Sequence, residues 1–448
     1  MNIIGLDIGT TTICAIAVAS ESGKVLRSLT AANDTAMQST KPYERLQNPQ
    51  KILDKCYELI EQLTAEFAPV ACIGVTGQMH GIVYLDKNGD ALSPLYYWQD
   101  ESGNENYKDS KSYAEYLSDI TGYKMATGFG GTTYFCHAVN GLVPENAVKI
   151  CTIHDYAAMK LCNKNIPVMH TSDAASFGLF DLKSLCFDKA AIEKAGLSFD
   201  MFPEVSKGFD TLGMYKNNIP VSVAIGDNQA SFLGSVNNFD CCILVNVGTG
   251  SQISYMTDFS EAPKGTELRP CCSDSYICVG SSLCGGRAFA LLESFIRETA
   301  RLACDTDIKS AYPAIDKFLA NSEMPENPLI VSTRFCGSRD CPAERGSIQN
   351  LAVDNFTPQA LIWGVLSGMA EELKSMYQKN PKHTIMIGSG NGLRKNKALQ
   401  LLFSQSFGMQ LKIPSHNEEA SFGAALFGMT AAGLCKDISQ AQKLIKYI

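Results

Sequence analysis

The sequence predicts an α/β protein built from two similar domains in tandem duplication, which face each other across a cleft. Two pairs of matching segments carry this prediction. Residues 4–12 form an apolar strand followed by a polar Gly-Thr turn, and residues 243–251 repeat the pattern about half the chain later. Residues 71–78 and 384–391 are also alike, since each is a buried-type strand that ends in a glycine-framed turn. An internal repeat of this kind indicates that one folding unit has been duplicated.

Length and composition agree with this domain count. At 448 residues, with 45% hydrophobic and 19% charged residues, the chain is long enough for two or three globular domains with sizeable cores. The repeat selects two domains, and the polar turn at residues 237–240 marks the boundary just before the second copy. The predicted domains are therefore residues 1–237 and residues 238–448.

Charge and segment composition narrow the class of protein. The net charge of −8 and the lack of a basic run argue against nucleic acid as a partner. The first apolar run contains Asp7 and has no basic flank, unlike a signal peptide, and no apolar stretch reaches the ~20 residues that a membrane helix needs. The 17 cysteines include no pair three residues apart, so we expect most of them to be small buried hydrophobes. These features predict a cytoplasmic protein without a membrane partner.

Hydrophobic patterns predict alternating strands and helices along the chain. A three-stranded meander opens the sequence, and the amphipathic helix that follows has its apolar residues on one face. Residues 98–100 and 127–131 are predicted to lie in loops. The predicted elements are the strands 4–8, 13–18, 25–31, 71–76, 221–225, 243–247 and 252–256, the hairpin turn 87–90, the loop 171–176, and helices at 49–68, 156–161, 287–299, 356–378 and 396–407, with further helices beginning at 226–230 and 418–425.

The turn after the first strand has the composition of an anion site beside a cation. Gly9 lets the backbone approach closely, and Thr10, Thr11 and Thr12 add hydroxyls to backbone N–H groups that can face a phosphate. The carboxylate of Asp7 would repel a bare phosphate, so we expect it to hold a cation or a water on that cation.

The second copy differs from the first at one chemically important position. Asn246 stands where the first copy has its acid, so one turn can steer a metal while the other touches phosphate without adding a second negative charge. The one Gly-Lys pair, Gly23-Lys24, is followed by Val25, which excludes a P-loop NTPase.

Asp227 follows a buried strand and stands at the start of a helix. It is suited to cap that helix, and it is also suited to act as a general base that takes a proton from a hydroxyl attacking a phosphoryl group. A carboxylate can do both only if one oxygen stays free, so the local sequence leaves both interpretations open.

Further polar residues follow another buried strand. Gln78, Met79 and His80 stand at a strand's C-terminal end, where α/β proteins bind ligands, and their donors and acceptors suit a polyhydroxylated ligand. His80 is also compatible with a structural role, and Trp98 suits either the C–H face of a sugar or a core position. The remaining histidines show no metal-ligand spacing and are predicted to be structural: His137, His154, His170, His383 and His416.

Taken together, these motifs resemble the actin–hexokinase–Hsp70 superfamily, and within it the FGGY carbohydrate kinases, over nearly the whole chain. The duplicated Gly-Thr hairpins carry the superfamily resemblance, which implies two actin-like (ribonuclease H-like) domains. Residues 77–81 with 226–230 resemble the carbohydrate-kinase branch. The segments most similar to the sedoheptulokinases are 98–100, 126–130, 152–156 and 388–390.

The resemblance implies a reaction and a role for each site residue. An ATP-dependent kinase would phosphorylate the terminal primary hydroxyl of a ketose, with sedoheptulose giving sedoheptulose 7-phosphate. Asp227 would be the catalytic base, and Asp7 would organise a magnesium ion (Mg2+). The phosphates of ATP would lie against Thr10, Thr11, Thr12, Gly248 and Thr249, and the adenosine part against Gly286, Gly388, Ser389, Gly390 and Asn396. The sugar would contact Gln78, Met79, His80, Trp98, Gly128 and Asn228.

Several positions depart from the family pattern. Cys14 stands where relatives usually have Arg or Lys, so we expect one phosphate contact to be missing. Gly128 stands where glycerol-type relatives have a tyrosine, which would leave room for a longer sugar. Residues 132–136 replace the family's Lys-x-x-Trp, and the arginine expected after residues 98–100 is absent. These departures affect the predicted sugar more than the predicted reaction.

Two alternatives remain open. Within the same class, the chain would be a xylulose kinase or another kinase of short ketoses or polyols. From a different class, the same ATPase core serves activators of radical dehydratases, which hold an iron–sulfur cluster between subunits, and the many cysteines leave room for this. Residues 77–81 and 226–230 argue against it, because such activators need neither. The expected partners are a small-molecule sugar and ATP, and a homodimer is the candidate assembly.

Overall fold

The computed structural model describes residues 1–216, 218–258, 262–273, 275–338 and 341–448, which form two compact units. The first unit comprises Met1–Asn237, Arg269–Tyr276 and His416–Lys446, and the second comprises Asn238–Leu268, Ile277–Ser415 and Tyr447–Ile448. The chain first passes between the units after Asn237, at the polar turn that the sequence marks as a boundary. The sequence assigned residues 416–446 to the second domain, whereas their contacts place them in the first unit.

Helices and strands alternate along both units. The helices are α1 (Pro49–Glu66), α2 (Tyr113–Thr121), α3 (Gly130–Val139), α4 (Ile153–Leu161), α5 (Thr171–Phe177), α6 (Lys189–Lys194), α7 (Asp227–Ser235), α8 (Gly286–Cys304), α9 (Tyr312–Ala320), α10 (Pro358–Ser375), α11 (Gly390–Lys395), α12 (Lys397–Phe407), α13 (Glu419–Ala431) and α14 (Ile438–Gln442). Among the described helices, none combines the length and apolar character needed to cross a bilayer.

The strands are short outside the two main sheets. They are β1 (Asn2–Ile8), β2 (Thr12–Ala19), β3 (Val25–Ala32), β4 (Ala36–Met37), β5 (Leu46–Gln47), β6 (Val70–Gly77), β7 (Val83–Leu85), β8 (Leu95–Tyr96), β9 (Asn106–Lys108), β10 (Lys111–Ser112), β11 (Lys149–Cys151), β12 (Val168–His170), β13 (Phe180–Asp181), β14 (Cys186–Phe187), β15 (Glu204–Ser206), β16 (Thr211–Tyr215), β17 (Ile219–Ser222), β18 (Ile225–Gly226), β19 (Cys242–Val247), β20 (Ser251–Thr257), β21 (Thr266–Pro270), β22 (Tyr276–Ser282), β23 (Ile330–Ser332), β24 (Ser347–Gln349), β25 (Ile385–Ser389) and β26 (Gln410–Lys412).

Five strands of each main sheet follow one order, β3-β2-β1-β6-β17 in the first unit and β22-β20-β19-β25-β26 in the second. In the first unit the order is β16-β17-β6-β1-β2-β3, with β18 also paired to β6, and in the second it is β21-β22-β20-β19-β25-β26. In each sheet the strand before the Gly-Thr turn pairs antiparallel with the next strand and parallel with a later one, β6 or β25. This shared arrangement confirms the predicted duplication of an α/β unit.

Each unit has its own hydrophobic core. In the first unit, apolar residues of β1, β2 and β6 pack with α1 and α4, and a separate cluster forms around α2, α3 and α5. In the second unit, β19 and β25 pack against α10 and α12. The amphipathic spacing in residues 49–68 correctly predicts α1, whose buried face includes Ile52, Cys56, Leu59, Ile60 and Leu63.

Helix α13 explains why the C-terminal segment belongs to the first unit. It packs against β1, β6 and α7, and most of its residues are buried. A Cβ added to Gly5 or to Gly74 would come within 1.8 Å or 1.7 Å of a backbone carbonyl of the helix. The helix backbone therefore lies directly on the sheet, an approach that only residues without side chains permit.

One predicted loop is a helix in the structure, and another is a loop only in part. Residues 171–176 lie in α5, whereas residues 127–129 form a turn and residues 130–131 begin α3. The Gly-Gly-Thr-Thr start of α3 has low intrinsic helix propensity, which is why the sequence pattern suggested a loop. Burial of Tyr134, Phe135 and Cys136 outweighs that weak propensity.

Candidate functional site

Asp7 lies near the end of β1 and Asp227 directly follows β18, and these two strands pair with opposite sides of β6. In the sheet, Asp7 is in register with Thr76, and Gly226 is in register with Gly77. The hydroxyl of Thr76 donates to the carbonyl of Ile225 at 2.6 Å, which holds β18 against β6. Because β1, β6 and β18 run parallel, their C-terminal ends meet at one edge of the sheet, the usual location of ligand sites in α/β folds.

The carboxylate of Asp7 has the environment expected of a cation ligand. Its Oδ1 is shielded from solvent and has no hydrogen-bond partner within the described part of the chain. Burial, and then the negative charge of Asp227, raise the pKa of Asp7 to about 7. A bound cation would supply the missing partner and reverse this shift, so the residue fits the magnesium role that the family resemblance implies.

Asp227 is the first residue of α7, and the N-cap position is taken by Gly226. The interpretation of Asp227 as an N-cap is therefore wrong, and its role as a general base stays a prediction. Burial raises the pKa of Asp227 to about 6, while the charge of His154 opposes the rise. A carboxyl group that titrates near neutral pH is suited to accept a proton from an alcohol.

The turn at residues 9–11 is hydrogen-bonded to side chains that the sequence assigned to the sugar site. Thr10 donates to Oε1 of Gln78 at 3.2 Å, and Trp98 donates its indole N–H to the Thr10 hydroxyl at 2.9 Å. Gln47, which the sequence did not single out, donates to the Thr10 carbonyl and accepts from Gln78, both at 2.9 Å. Thr11 and Thr12 are exposed, so a ligand can reach their hydroxyls.

Met79 and His80 are held by the surrounding loops. Met79 is buried, with its Sδ and Cε 2.8 Å from the position that a Cβ on Gly226 would occupy. His80 has a φ of 76°, its ring stacks on Phe129 with centroids 4.9 Å apart, and its Nδ1 lies 2.8 Å from the carbonyl of Ser176. Met79 thus lies beside the start of α7, where Asn228 is also buried, and His80 lies against Phe129 and Ser176.

Trp98 and Gly128 form one structural pair. Trp98 is 45% exposed, so the core interpretation of this residue is wrong and its ring is available to a ligand. Gly128 has a φ of +79°, and a Cβ there would lie 2.1 Å from the Trp98 carbonyl oxygen. The space beside Gly128 is thus filled by the Trp98 backbone, which differs from the sequence interpretation that the missing side chain leaves room for a sugar.

The corresponding edge of the sheet in the second unit carries an amide, Asn246, in place of the carboxylate of Asp7. Asn246 is in register with Ser389 and donates its side-chain amide to the serine hydroxyl at 2.8 Å. The backbone N–H of Gly286 donates to the carbonyl of Gly248 at 2.8 Å, and that of Arg287 donates to Thr249 at 3.0 Å. The turn at 248–250 is therefore fixed against the N-terminus of α8, and Thr249 itself is exposed.

Several of the residues 388–396 make contacts that stabilise the fold. Gly388 lies inside β25, Ser389 accepts from Asn246, and Gly390 has a φ of +78° with its Cα facing the Val247 backbone. Asn396 caps α12 by accepting the N–H of Leu399 at 2.9 Å. Its Nδ2 is buried and has no hydrogen-bond partner among the described residues.

A buried charge cluster behind this edge was missed by the sequence interpretation. His154, predicted to be structural, has its Nε2 3.0 Å from Oδ2 of Asp173, and neither side chain is exposed. Asp155 completes the cluster and closes a capping box with Thr152. The Thr-x-x-Asp pattern at 152–155 after a buried strand was the available signal, since it predicts a helix start at the ligand-binding edge.

Cys14, which stands where relatives usually have Arg or Lys, pairs with Asp7 in the sheet. Cys14 is in register with Asp7 on β2 and is buried in the sheet. Burial raises the pKa of its thiol, so the group stays neutral. A neutral thiol cannot replace the charge of the Arg or Lys that relatives usually place here.

The fold of the chain is also found in solved structures of sugar kinases. It matches the ligand-bound xylulose kinase from Lactobacillus acidophilus with a TM-score of 0.83 at 20% identity, over 100% of this chain and 92% of that one. It also matches Plasmodium falciparum glycerol kinase with ADP at a TM-score of 0.80 and 18% identity, over 99% and 92% of the two chains.

Residues 2–234 match the N-terminal domain of the FGGY family of carbohydrate kinases, and the chain belongs to this family. It is therefore a phosphotransferase, which decides against the interpretation as an activator of a radical dehydratase. Along the sequence the chain is 26% identical to the sedoheptulokinase of Mus musculus, over 98% of both chains.

Proposed function

We propose that the protein transfers the γ-phosphoryl group of ATP to the terminal primary hydroxyl of a ketose, and that the ketose is sedoheptulose. The similarity to the mouse sedoheptulokinase extends over 98% of both chains, which supports this sugar over shorter ones. The observation that carries the reaction is the placement of Asp227 at the strand edge that also holds Asp7, with its pKa raised to about 6.

In this proposal Asp227 is the catalytic base. Its position at the start of α7, with Gly226 as the N-cap, leaves the carboxylate available to accept the proton of the attacking hydroxyl. Removal of that proton raises the nucleophilicity of the sugar oxygen as it approaches the γ-phosphorus. The buried loop of Gln78 and Met79, with His80 and Asn228, would orient the sugar beside this base.

The phosphates would be held by the turns. Thr10, Thr11 and Thr12 in the first unit, and Gly248 and Thr249 in the second, present hydroxyls and backbone N–H groups of the kind that bind phosphate oxygens. Asp7 would hold Mg2+ directly or through a water, and the ion would neutralise charge that develops on the phosphoryl oxygens. Gly286, Gly388, Ser389, Gly390 and Asn396 would receive the adenosine part.

A substrate panel tests this proposal. Purified protein with ATP and Mg2+ would be assayed for ADP release on ketoses of five to seven carbons, on pentitols and on glycerol, with the Asp227→Asn variant as the control for the site. We expect the highest kcat/KM with sedoheptulose. A higher kcat/KM with xylulose would assign the chain to the short-ketose alternative, and ADP release that is independent of every sugar would contradict a kinase function.

A further inference from the structure

The cluster of His154, Asp155 and Asp173 lies at the heart of the first unit and has no role in the reaction described so far. Its imidazole and carboxylates are buried, and one ligand atom from each residue lies within 4.8 Å of the others. Nε2 of His154 and Oδ2 of Asp173 are 3.0 Å apart, the distance of an ion pair, and neither side chain is exposed. Opposite charges attract more strongly in such a buried site than in water.

The backbone places this cluster directly behind the two site carboxylates. His154 is the second residue of α4, and its Cβ lies 3.0 Å from the position that a Cβ on Gly77 would occupy. Gly77 ends β6, in register with Ile8 on one side and Gly226 on the other. These two neighbours adjoin Asp7 and Asp227 in the chain, so the missing side chain of Gly77 admits the histidine to the strand ends.

His154 and Asp227 interact electrostatically, and each shifts the pKa of the other. Burial alone would lower the pKa of His154, but Asp173, then Asp155 and Asp227, outweigh it and raise the pKa to about 9. The imidazole is therefore a cation at neutral pH, and in return it lowers the pKa values of Asp227 and Asp7. The charged groups around this edge of the sheet are His154, Asp155, Asp173, Asp7, Asp227, Arg269 and Glu418.

We propose that His154 is a positioning residue, a buried imidazolium held by Asp173, which keeps the Asp227 carboxylate charged and in place for proton transfer. The inference rests on the proposed function, since it acts through Asp227 as the base. Asp173 is the main counterion, because Asp155 already accepts the hydroxyl of Thr152 at 2.6 Å. A neutral residue at 154 would remove the cation that lowers the pKa of Asp173, Asp155 and Asp227 most, which disfavours their charged forms.

The experiment compares two buried histidines of the first unit. The variant His154→Gln keeps a polar side chain but removes the charge. The matched control is His137→Gln, because His137 is buried, bonds Tyr84 at 3.0 Å through Nδ1, and has its pKa lowered to about 4 by burial, so it is already neutral. For each protein, kcat and the KM values for the sugar and ATP would be measured by ADP release.

We expect His154→Gln to lower kcat about 10- to 100-fold with both KM values within about threefold of wild type, as for loss of a group that supports a catalytic residue. His137→Gln should keep kcat within about threefold. Equal loss in both variants, or an unchanged kcat in a folded His154→Gln protein, would overturn the inference. If His154→Gln does not fold by near-ultraviolet circular dichroism, Asp173→Asn takes its place with the same expected split between kcat and KM.

Two further measurements separate this inference from its competitors. If the wild-type protein phosphorylates the sugar and the Asp227→Asn variant does not, the proposed function is supported. An unchanged kcat in His154→Gln then refutes the positioning role alone. A wild-type protein that phosphorylates no sugar refutes the proposed function itself. Metal analysis of chelator-treated protein tests whether His154, Asp155 and Asp173 form a cation site. If each wild-type chain retains one tightly bound metal ion, and the ion is lost in His154→Gln, the proposal that His154 is an imidazolium is wrong.

Discussion

The indole N–H of Trp98 donates to the hydroxyl of Thr10 at 2.9 Å, and this hydroxyl in turn donates to Gln78 at 3.2 Å. One chain of hydrogen bonds therefore joins a residue of the phosphate turn to two residues assigned to the sugar. We therefore expect that a substitution at Trp98 or Gln78 alters the position of Thr10.

Replacing Trp98 by Phe keeps an aromatic ring and removes the donor. Loss of one hydrogen bond of about 0.5–1.5 kcal/mol should raise the KM for the sugar and for ATP by about two- to tenfold. The measurement is steady-state kinetics with each substrate varied in turn. Trp98→Ala is the companion variant, since it also removes the ring and should weaken sugar binding further; an effect of Trp98→Phe on the sugar alone would contradict the link to Thr10.

Replacing Asp227 by Asn keeps the shape of the side chain and removes its ability to accept a proton. We expect kcat to fall by about 10²- to 10⁴-fold, the usual contribution of a general base. Binding of ATP, measured by calorimetry in the absence of sugar, should stay within a few-fold of wild type. Near-normal turnover in this variant would refute the assigned role.

The acid limb of the pH profile should report the same carboxyl group. Because the pKa of Asp227 is raised to about 6, kcat/KM for the sugar should fall about tenfold for each pH unit below that value, as the protonated group cannot act as a base. Above pH 6 the carboxylate is formed and this limb is flat. A limb at pH 4, the ordinary range of a carboxyl group, would show that Asp227 is not the titrating base.

The raised pKa also predicts a stability difference. The folded-state pKa of about 6 exceeds the ordinary value of 3.8, so this group stabilises the fold below pH 4 and loses that contribution as the pH rises through 6. Asp227→Asn carries no such charge, and its melting temperature should exceed that of wild type by a few degrees at pH 8. The difference should shrink toward zero at pH 4, and a variant that is less stable than wild type at pH 8 would contradict the burial of an ionised Asp227.

Gly128 should tolerate no side chain. Alanine there would adopt a φ of +79° and place its Cβ 2.1 Å from the Trp98 carbonyl, so we expect a loss of about 2–4 kcal/mol in the free energy of unfolding by urea. Gly122→Ala is the matched control, because Gly122 has a φ of +81° and open space around it. The control should lose only about 1 kcal/mol, and equal losses would show that the Trp98 contact adds nothing.

The sequence could predict the fold because its strongest signals are local and repeated. The two Gly-Thr hairpins and the apolar strands around them fix both sheets, and the placement of Asp7 and Asp227 at strand ends follows from the parallel arrangement of β1, β6 and β18. The family resemblance then supplied the class of enzyme, a carbohydrate kinase, which the family match confirms.

What the sequence could not predict depends on contacts between distant segments. The pairing of His154 with Asp173 joins two helices, and neither residue has metal-ligand or triad spacing. The reason for Gly128 lies in the backbone of Trp98, and the capping role of Asn396 appears only once α12 is placed. Helix α13 was assigned to the wrong unit because sequence position, rather than its contacts with Gly5 and Gly74, set the boundary.

The placement of α13 also bears on how a ribosome delivers this protein. Strands β1 and β6 precede residues 277–415 of the second unit in the chain, whereas α13, the helix that packs on them, follows those residues. Until α13 has been synthesised, the surface of β1 and β6 that carries Gly5 and Gly74 therefore lacks the helix that covers it in the folded protein.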